Sequence, residues 1–302
     1  MNKPQALQKG DKVAVVAPAG PPDREHLMQG KRVLEKMGLE VVIGRHVFDV
    51  EEDPATVDQK RVADLHEAFR NPAIRAVFCA NGGFGSAKIA PLIDYKMIAS
   101  HPKIFWGYSD LTYLINAIQK CSNLVTYHGP MVASDLNDEQ RTNDTAASFS
   151  SLFTGESMTY DSHQSPLNTL VHGTGEGHLV GGNLTLLTNG LGTPYQVDSK
   201  GAILLIEEVA EPAFLVDLKL THLKQAGLFD EVQGVVLGNF QVDPEEDVEV
   251  RKVLRNFFAH APFPVVENFN FGHCQPNYGV PLGVKAKLTT SPPQLVVDSG
   301  VR

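Results

Sequence analysis

Ser109 stands where a serine can become a nucleophile. An apolar run, Ile104-Phe105-Trp106, breaks into the turn Gly107-Tyr108-Ser109-Asp110 and then into a helical pattern. A strand that turns sharply into a helix pushes the turn side chain out of the sheet and aims the first helical N–H groups at whatever that side chain attacks. The G-x-S-x-G elbow is matched only in part, because Leu111 stands where its second glycine would be. Leu111, Leu114, Ile115 and Ile118 recur on one helix face, so a helix begins just after the serine. A serine in that place also reads as an N-cap, and the local sequence leaves both readings open.

Acyl transfer by serine needs a base, an acid that orients the base, and donors for the oxyanion. The loop Asn81-Gly82-Gly83-Phe84-Gly85 follows the strand pattern Val77 to Ala80, and its Gly83 N–H joined to the Asp110 N–H would make a two-donor oxyanion site. The same glycines also suit a plain tight turn. They lack the spacing of a dinucleotide fingerprint. Glu207 and Glu208 end the apolar strand Ala202 to Ile206, at a cleft edge or on the surface. His273, in Asn270-Phe271-Gly272-His273-Cys274, is the candidate base among eleven histidines. Its main rival is His128, in Tyr127-His128-Gly129-Pro130-Met131, which is expected near Ser109, behind the site or against substrate. Gly82 and Phe84 are further candidates for contact with substrate. His66-Glu67 lacks the H-E-x-x-H spacing of a zinc helix, so no metal site is expected. Cys274 is a weaker nucleophile candidate, since its side chain diverges from that of adjacent His273.

These groups need a scaffold, and 302 residues with 42% hydrophobic content suffice for two packed domains. Short β-branched runs alternate with helical patterns through Val13 to Ala17, Arg24 to Met37, Glu40 to Ile43, Asp58 to Phe69, Ala76 to Ala80, Ala87 to Ile93 and Ile104 to Trp106. That alternation predicts a parallel sheet wrapped by helices. Asp23 is placed to cap the first helix, and Gly38 follows it where a left-handed residue is needed. Polar, small residues from Ala133 to Thr169 read as a connection with one short helix near Ala146 to Phe153. Beyond glycine-rich Gly173 to Asn183, strands are predicted at Ala202 to Ile206, Gly234 to Leu237, Val265 to Val266, Ala286 to Leu288 and Leu295 to Val297. Helices are predicted near Phe214 to Gln225 and Val248 to His260. The expected fold is therefore α/β, with a Rossmann-like N-terminal domain over 1–135, a linker over 136–170 and a C-terminal α/β domain over 171–302 whose sheet is mixed.

A net charge of −9 argues against general affinity for nucleic acid or an anionic membrane. Met1 to Gly10 is polar and no apolar stretch is long enough to span a bilayer, so a cytoplasmic location is expected. Three widely spaced cysteines, Cys79, Cys121 and Cys274, suit a reducing compartment.

Taken together, these motifs resemble the LD-carboxypeptidase family of serine peptidases, which includes microcin C immunity peptidases. The resemblance runs through Gly10 to Pro18, Gly82-Gly83-Phe84-Gly85, Gly107-Tyr108-Ser109-Asp110-Leu111-Thr112, His128-Gly129-Pro130-Met131, Gly181-Gly182-Asn183-Leu184, Ile206-Glu207-Glu208, Gly272-His273 and Pro281-Leu282-Gly283. It implies Ser109 as nucleophile, Glu207 as orienting acid and His273 as base, at a site between two domains, with no cofactor and usually in a homodimer. It also implies a small peptide or muropeptide substrate: a cytoplasmic murein tetrapeptide losing D-alanine across an L–D peptide bond during peptidoglycan recycling. The family often has arginine where Asn81 stands and tyrosine where Phe84 stands. Cleavage of aminoacyl-nucleotide conjugates is the alternative within the same chemistry, and the lone tryptophan, Trp106, reads as core rather than as a stacking partner for a base. A non-catalytic protein with the Gly82 to Gly85 loop as an anion cradle is the alternative from another class.

Overall fold

The computed structural model describes residues 1–50, 53–137, 145 and 148–302. Its first half is the predicted alternation. Strands β1 (Lys12–Val16), β2 (Glu40–Ile43), β3 (Ile74–Cys79), β4 (Ile104–Gly107) and β5 (Thr126–His128) run parallel, separated by helices that include α1 (Arg24–Lys36), α2 (Pro54–Arg70) and α5 (Thr112–Ser122). Between β3 and β4 lie two short helices, α3 (Ser86–Ile89) and α4 (Tyr95–Ser100). Asp23 accepts the His26 N–H at 2.9 Å to cap α1, and Gly38 follows it at φ +93°. Asp53 caps α2 through the Thr56 N–H, with Pro54 in its first turn.

The sheet order is β12-β5-β4-β3-β1-β2, so the chain reverses direction across the sheet between β1 and β3. In such sheets the crevice for a ligand opens beyond the carboxyl ends of the strands, beside the reversal. The loops after β1 and β3 meet there, joined by Gly20 N–H to Gly82 O at 2.8 Å, and Ser109 follows β4 on the same edge. The outermost strand, β12 (Val280–Leu282), comes from the far end of the chain and pairs antiparallel with β5.

The second sheet is mixed, as expected. Its centre is parallel: β8 (Thr174–Asn183), β9 (Ala202–Val209), β10 (Gly234–Gln241) and β11 (Val265–Glu267). On the β8 side it continues antiparallel through β13 (Lys285–Thr290), β14 (Pro293–Val297) and β6 (Met158–Asp161); on the other, β7 (Asn168–Val171) closes it. Helices α7 (Leu184–Asn189), α8 (Ala213–Gln225) and α9 (Pro244–Phe258) cover it.

Two readings need correction. The stretch read as a connection supplies β6 and β7, and Tyr160 there is buried and donates to Gly279 O at 2.6 Å. Its short helix is a 3-10 turn at Ser148–Ser150 followed by α6 (Ser151–Thr154), and residues 146 and 147 lie outside the described residues. The glycine-rich stretch, given no element in the sequence, forms β8 from Thr174 on. A Cβ on Gly175 would collide with Gln233 O, and one on Gly181 with Leu205 O, so these glycines record close backbone approach inside a sheet. Among the described residues no helix is long and apolar enough to cross a membrane.

Candidate active site

Every residue of β4 is buried, and Tyr108 continues it in extended conformation. Ser109 then takes φ +62°, in the left-handed region where a side chain with Cβ pays roughly 1–2 kcal/mol. The chain passes through a 3-10 turn, Ser109–Leu111, into α5. Such strain is kept at sites that need it. The serine caps neither the turn nor the helix; its Oγ lies 3.1 Å from His273 Nε2. Buried Leu111 fills the place of the missing elbow glycine.

The other two groups come from the second half. Glu207 is near the end of β9, where successive side chains point to opposite faces and separate it from Glu208. Glu208 is tied up on its own face: it accepts from Asn183 Nδ2 at 2.8 Å, Val209 N at 2.9 Å and Thr185 N at 2.9 Å. Glu207 instead meets His273, with Oε2 2.8 Å from Nδ1. His273 sits on a loop shaped by Gly272 at φ +98°, whose N–H donates to Asn277 Oδ1 at 3.0 Å. A Cβ at Gly272 would strike the Glu207 carboxylate, so glycine is required for the acid and the base to meet.

Electrostatics follow from burial and pairing. Burial opposes the charge on Glu207, which has no exposed surface, but the charge of His273 and the two imidazoles facing it outweigh burial and hold the carboxyl at about 2. Burial likewise opposes a charged His273, and the Glu207 carboxylate overrides it, raising the imidazole above its ordinary value. Glu207 thus stays ionised, and His273 is held in an environment that favours its taking a proton.

The glycine loop closes over the serine. A Cβ on Gly82 would lie 3.2 Å from Ser109 Oγ, Gly83 has φ +115°, and Asp110 holds the following helix by accepting the Ser86 N–H at 2.9 Å. Among the described residues neither the Gly83 nor the Asp110 N–H has an intramolecular acceptor. Phe84 at the loop tip is 75% exposed. Of the two places expected for His128 the structure shows the one behind the site and corrects the one against substrate: the residue is fully buried behind Glu207, with Nε2 3.6 Å from Oε1. The sequence reading also missed a brace behind the site, in which the Tyr108 hydroxyl donates to buried Asp135 at 3.1 Å and its ring packs 4.9 Å from that of His273. Tyr108 was visible in the serine motif, whereas Asp135 gave no local signal. Cys274 donates to Pro276 O at 3.3 Å, and burial pushes its thiol up to about 12, which leaves it un-ionised. Among the described residues no group of three or more His, Cys, Asp or Glu side chains is arranged to hold a metal.

A serine, an imidazole and a buried carboxylate in hydrogen-bonded series, at the strand ends between two α/β domains, form the arrangement used by serine hydrolases. Comparison with known proteins narrows the class. The LD-carboxypeptidase N-terminal domain matches residues 13–129 and the LD-carboxypeptidase C-terminal domain residues 176–288, so the chain belongs to the LD-carboxypeptidase family. The "Probable murein peptide carboxypeptidase" of Bacillus subtilis (strain 168) is 42% identical over 303 residues, spanning 99% of this chain and 95% of that protein. Two solved structures share the fold over nearly the whole length. An MccF-like protein from Bacillus anthracis superposes with a TM-score of 0.90 at 26% identity, over 98% of this chain and 99% of that one. A muramoyltetrapeptide carboxypeptidase from Oxalobacter formigenes does so with a TM-score of 0.82 at 27% identity, over 96% and 100%.

Proposed function

We propose that this protein is a serine carboxypeptidase that cleaves the L–D peptide bond of murein tetrapeptides, releasing D-alanine in the cytoplasm during peptidoglycan recycling. The observation that carries the reading is the continuous series Glu207, His273, Ser109, with contacts of 2.8 and 3.1 Å. His273 Nε2 takes the Ser109 hydroxyl proton as Oγ bonds to the carbonyl carbon of the L-centre. The Gly83 and Asp110 N–H groups stabilise the oxyanion, at the positive end of the turn that begins α5. The C–N bond then breaks and His273 returns its proton to the departing amine of D-alanine. Water adds to the acyl-enzyme with His273 again as base, Ser109 is regenerated, and the shortened peptide leaves with a new carboxylate. Glu207 keeps the imidazole oriented and stabilises its charge throughout. The chain's own groups complete the cycle. Residues 1–135 would carry the nucleophile and 171–302 the acid and base, in a protein that works as a homodimer.

The likeness to the MccF-like structure motivates a second reading, hydrolysis of aminoacyl-nucleotide conjugates by the same groups. Recognition of the base would call for an exposed aromatic side chain. Trp106 is fully buried, stacked on Tyr127 and Phe149, which leaves Phe84 as the exposed aromatic side chain on the loop over Ser109. Side-by-side turnover of a murein tetrapeptide and an aminoacyl sulfamoyl adenylate separates the readings. The tetrapeptide should lose D-alanine and the adenylate should persist; the reverse would overturn the murein assignment.

A further inference from the structure

Glu207 is buried on all sides, yet only one of its two oxygens is satisfied. Oε2 meets His273, while Oε1 has no hydrogen-bond partner among the described residues and no exposed surface. A buried, unpaired carboxylate oxygen is costly, and the walls around it offer little help. Gly272 and Gly238 press against the side chain and contribute no polar side-chain atom: a Cβ on Gly238 would lie 3.0 Å from Glu207 Cβ. The polar atom that faces Oε1 is His128 Nε2 at 3.6 Å, slightly beyond hydrogen-bond range. His128 is itself fully buried, and among the described residues neither of its ring nitrogens has a hydrogen-bond partner. Two orphaned groups of complementary chemistry therefore point at each other in a site closed to water.

The fold prevents either from turning away. His128 ends β5, in register with Gly107 of β4 on one side and Val280 of β12 on the other, and the Tyr108 ring packs 5.5 Å from its own. Gly129 is pinned by its N–H to Gly107 O at 3.1 Å, and a Cβ there would lie 2.5 Å from the Trp106 ring.

We infer that His128, protonated on Nε2, donates to Glu207 Oε1 and acts as a positioning residue for the reaction, locking the carboxylate so that Oε2 stays on His273. The inference rests on the proposed function for its kinetic consequence but not for the contact itself. With both oxygens held, Glu207 cannot rotate about its carboxyl axis when His273 becomes charged. Without His128 it turns, and His273 loses part of the partner that keeps its proton affinity high. The other titratable groups facing this cluster, Asp135, Glu208, Tyr108 and Cys274, remain in place and do not replace that donor.

The test uses the full chain, with His128→Phe to remove the donor and His128→Gln to restore an amide N–H near the same point. For D-alanine release, His128→Phe should lower kcat roughly 10- to 100-fold, the scale of a modest misplacement of a reacting group, with KM little changed. The acidic limb of its pH profile should move to lower pH, and His128→Gln should recover most of both effects. Independently of turnover, side-chain 15N correlation spectra of the wild type should show His128 as the Nε2–H tautomer, with a hydrogen-bonded proton signal that shifts in Glu207→Gln. Wild-type kcat and an unmoved limb in His128→Phe, equal impairment in both variants, or an Nδ1–H tautomer would each overturn the inference. If His128→Phe does not fold, His128→Gln and the spectra decide. If the wild type releases no D-alanine, the proposed function falls while the tautomer still decides the contact.

Discussion

The two halves of the site are built in different ways. On the nucleophile side, one βα unit does nearly everything: β4 aims at the crevice, Ser109 takes its left-handed turn within two residues of the strand, and Asp110 fastens the glycine loop above it. On the acid–base side nothing is local. His273 and Glu207 are 66 residues apart, His273 and Ser109 164 apart, and the base rides on an irregular loop whose shape comes from Gly272, Asn277 and the walls of β9 and β10. A nucleophile can be encoded by a short stretch of chain, whereas the group that activates it depends on how distant segments pack. The second half should therefore be the one in which substitutions outside the triad itself damage catalysis most.

The largest effect that sharpens this contrast is expected for His273→Ala. It removes the proposed base while leaving the elbow intact, and should lower kcat by about 10⁴-fold or more with little change in thermal unfolding. Glu207→Gln should cost up to about 10⁴-fold and also move the acidic limb. The proposed mechanism requires neutral His273, so kcat/KM should rise with pH through its pKa, which lies above the ordinary histidine value in the native site. With the carboxylate gone, burial pushes that pKa down against the weaker pull of Asp135 and Glu208, and the limb should fall below about 6.5. A limb that stays put would mean that Glu207 does not govern the base.

The same contrast explains what could be read from the chain. Strands β1, β3 and β4 were legible because the interior of a parallel sheet buried on both faces demands apolar runs between helices, and the edge strand β2 because of its β-branched run Val41-Val42-Ile43. Strand β8 was not, since its glycines, required by neighbouring backbone, look like loop. Strands β5 and β12 are three residues each and carry no period. Ser109 could be suspected from the turn alone, but its cap-like neighbourhood left the matter open until His273 appeared across the crevice. Glu207 and Glu208 are indistinguishable in sequence; only the strand's alternation decides which carboxylate enters the site. His273 and Glu207 were identified by resemblance, because no local spacing records contacts between segments 66 and 164 residues apart.

Smaller effects probe the packing directly. Gly272→Ala should drive a methyl group into the Glu207 carboxylate, lowering kcat by roughly 100-fold. The left-handed backbone adds a stability cost of about 1–3 kcal/mol, read as a lower unfolding midpoint. Unchanged turnover would show that the acid–base side tolerates local distortion and would break the contrast. Glu208→Gln is expected to do least to catalysis. It replaces an acceptor of several N–H and O–H donors and should destabilise by about 1–3 kcal/mol while kcat stays near the wild-type value. Equal damage from Glu208→Gln and Glu207→Gln would mean that the carboxylate assignment is wrong.

The central claim is that Ser109 attacks the L–D bond, and one comparison tests it most directly. Wild-type protein and Ser109→Ala are incubated with a murein tetrapeptide, and D-alanine release is followed by mass spectrometry, with matched circular dichroism showing that both are folded. The wild type should release D-alanine and Ser109→Ala should release none above the uncatalysed rate. Equal release by the two proteins would contradict the account, and no release by the wild type would remove the carboxypeptidase assignment altogether.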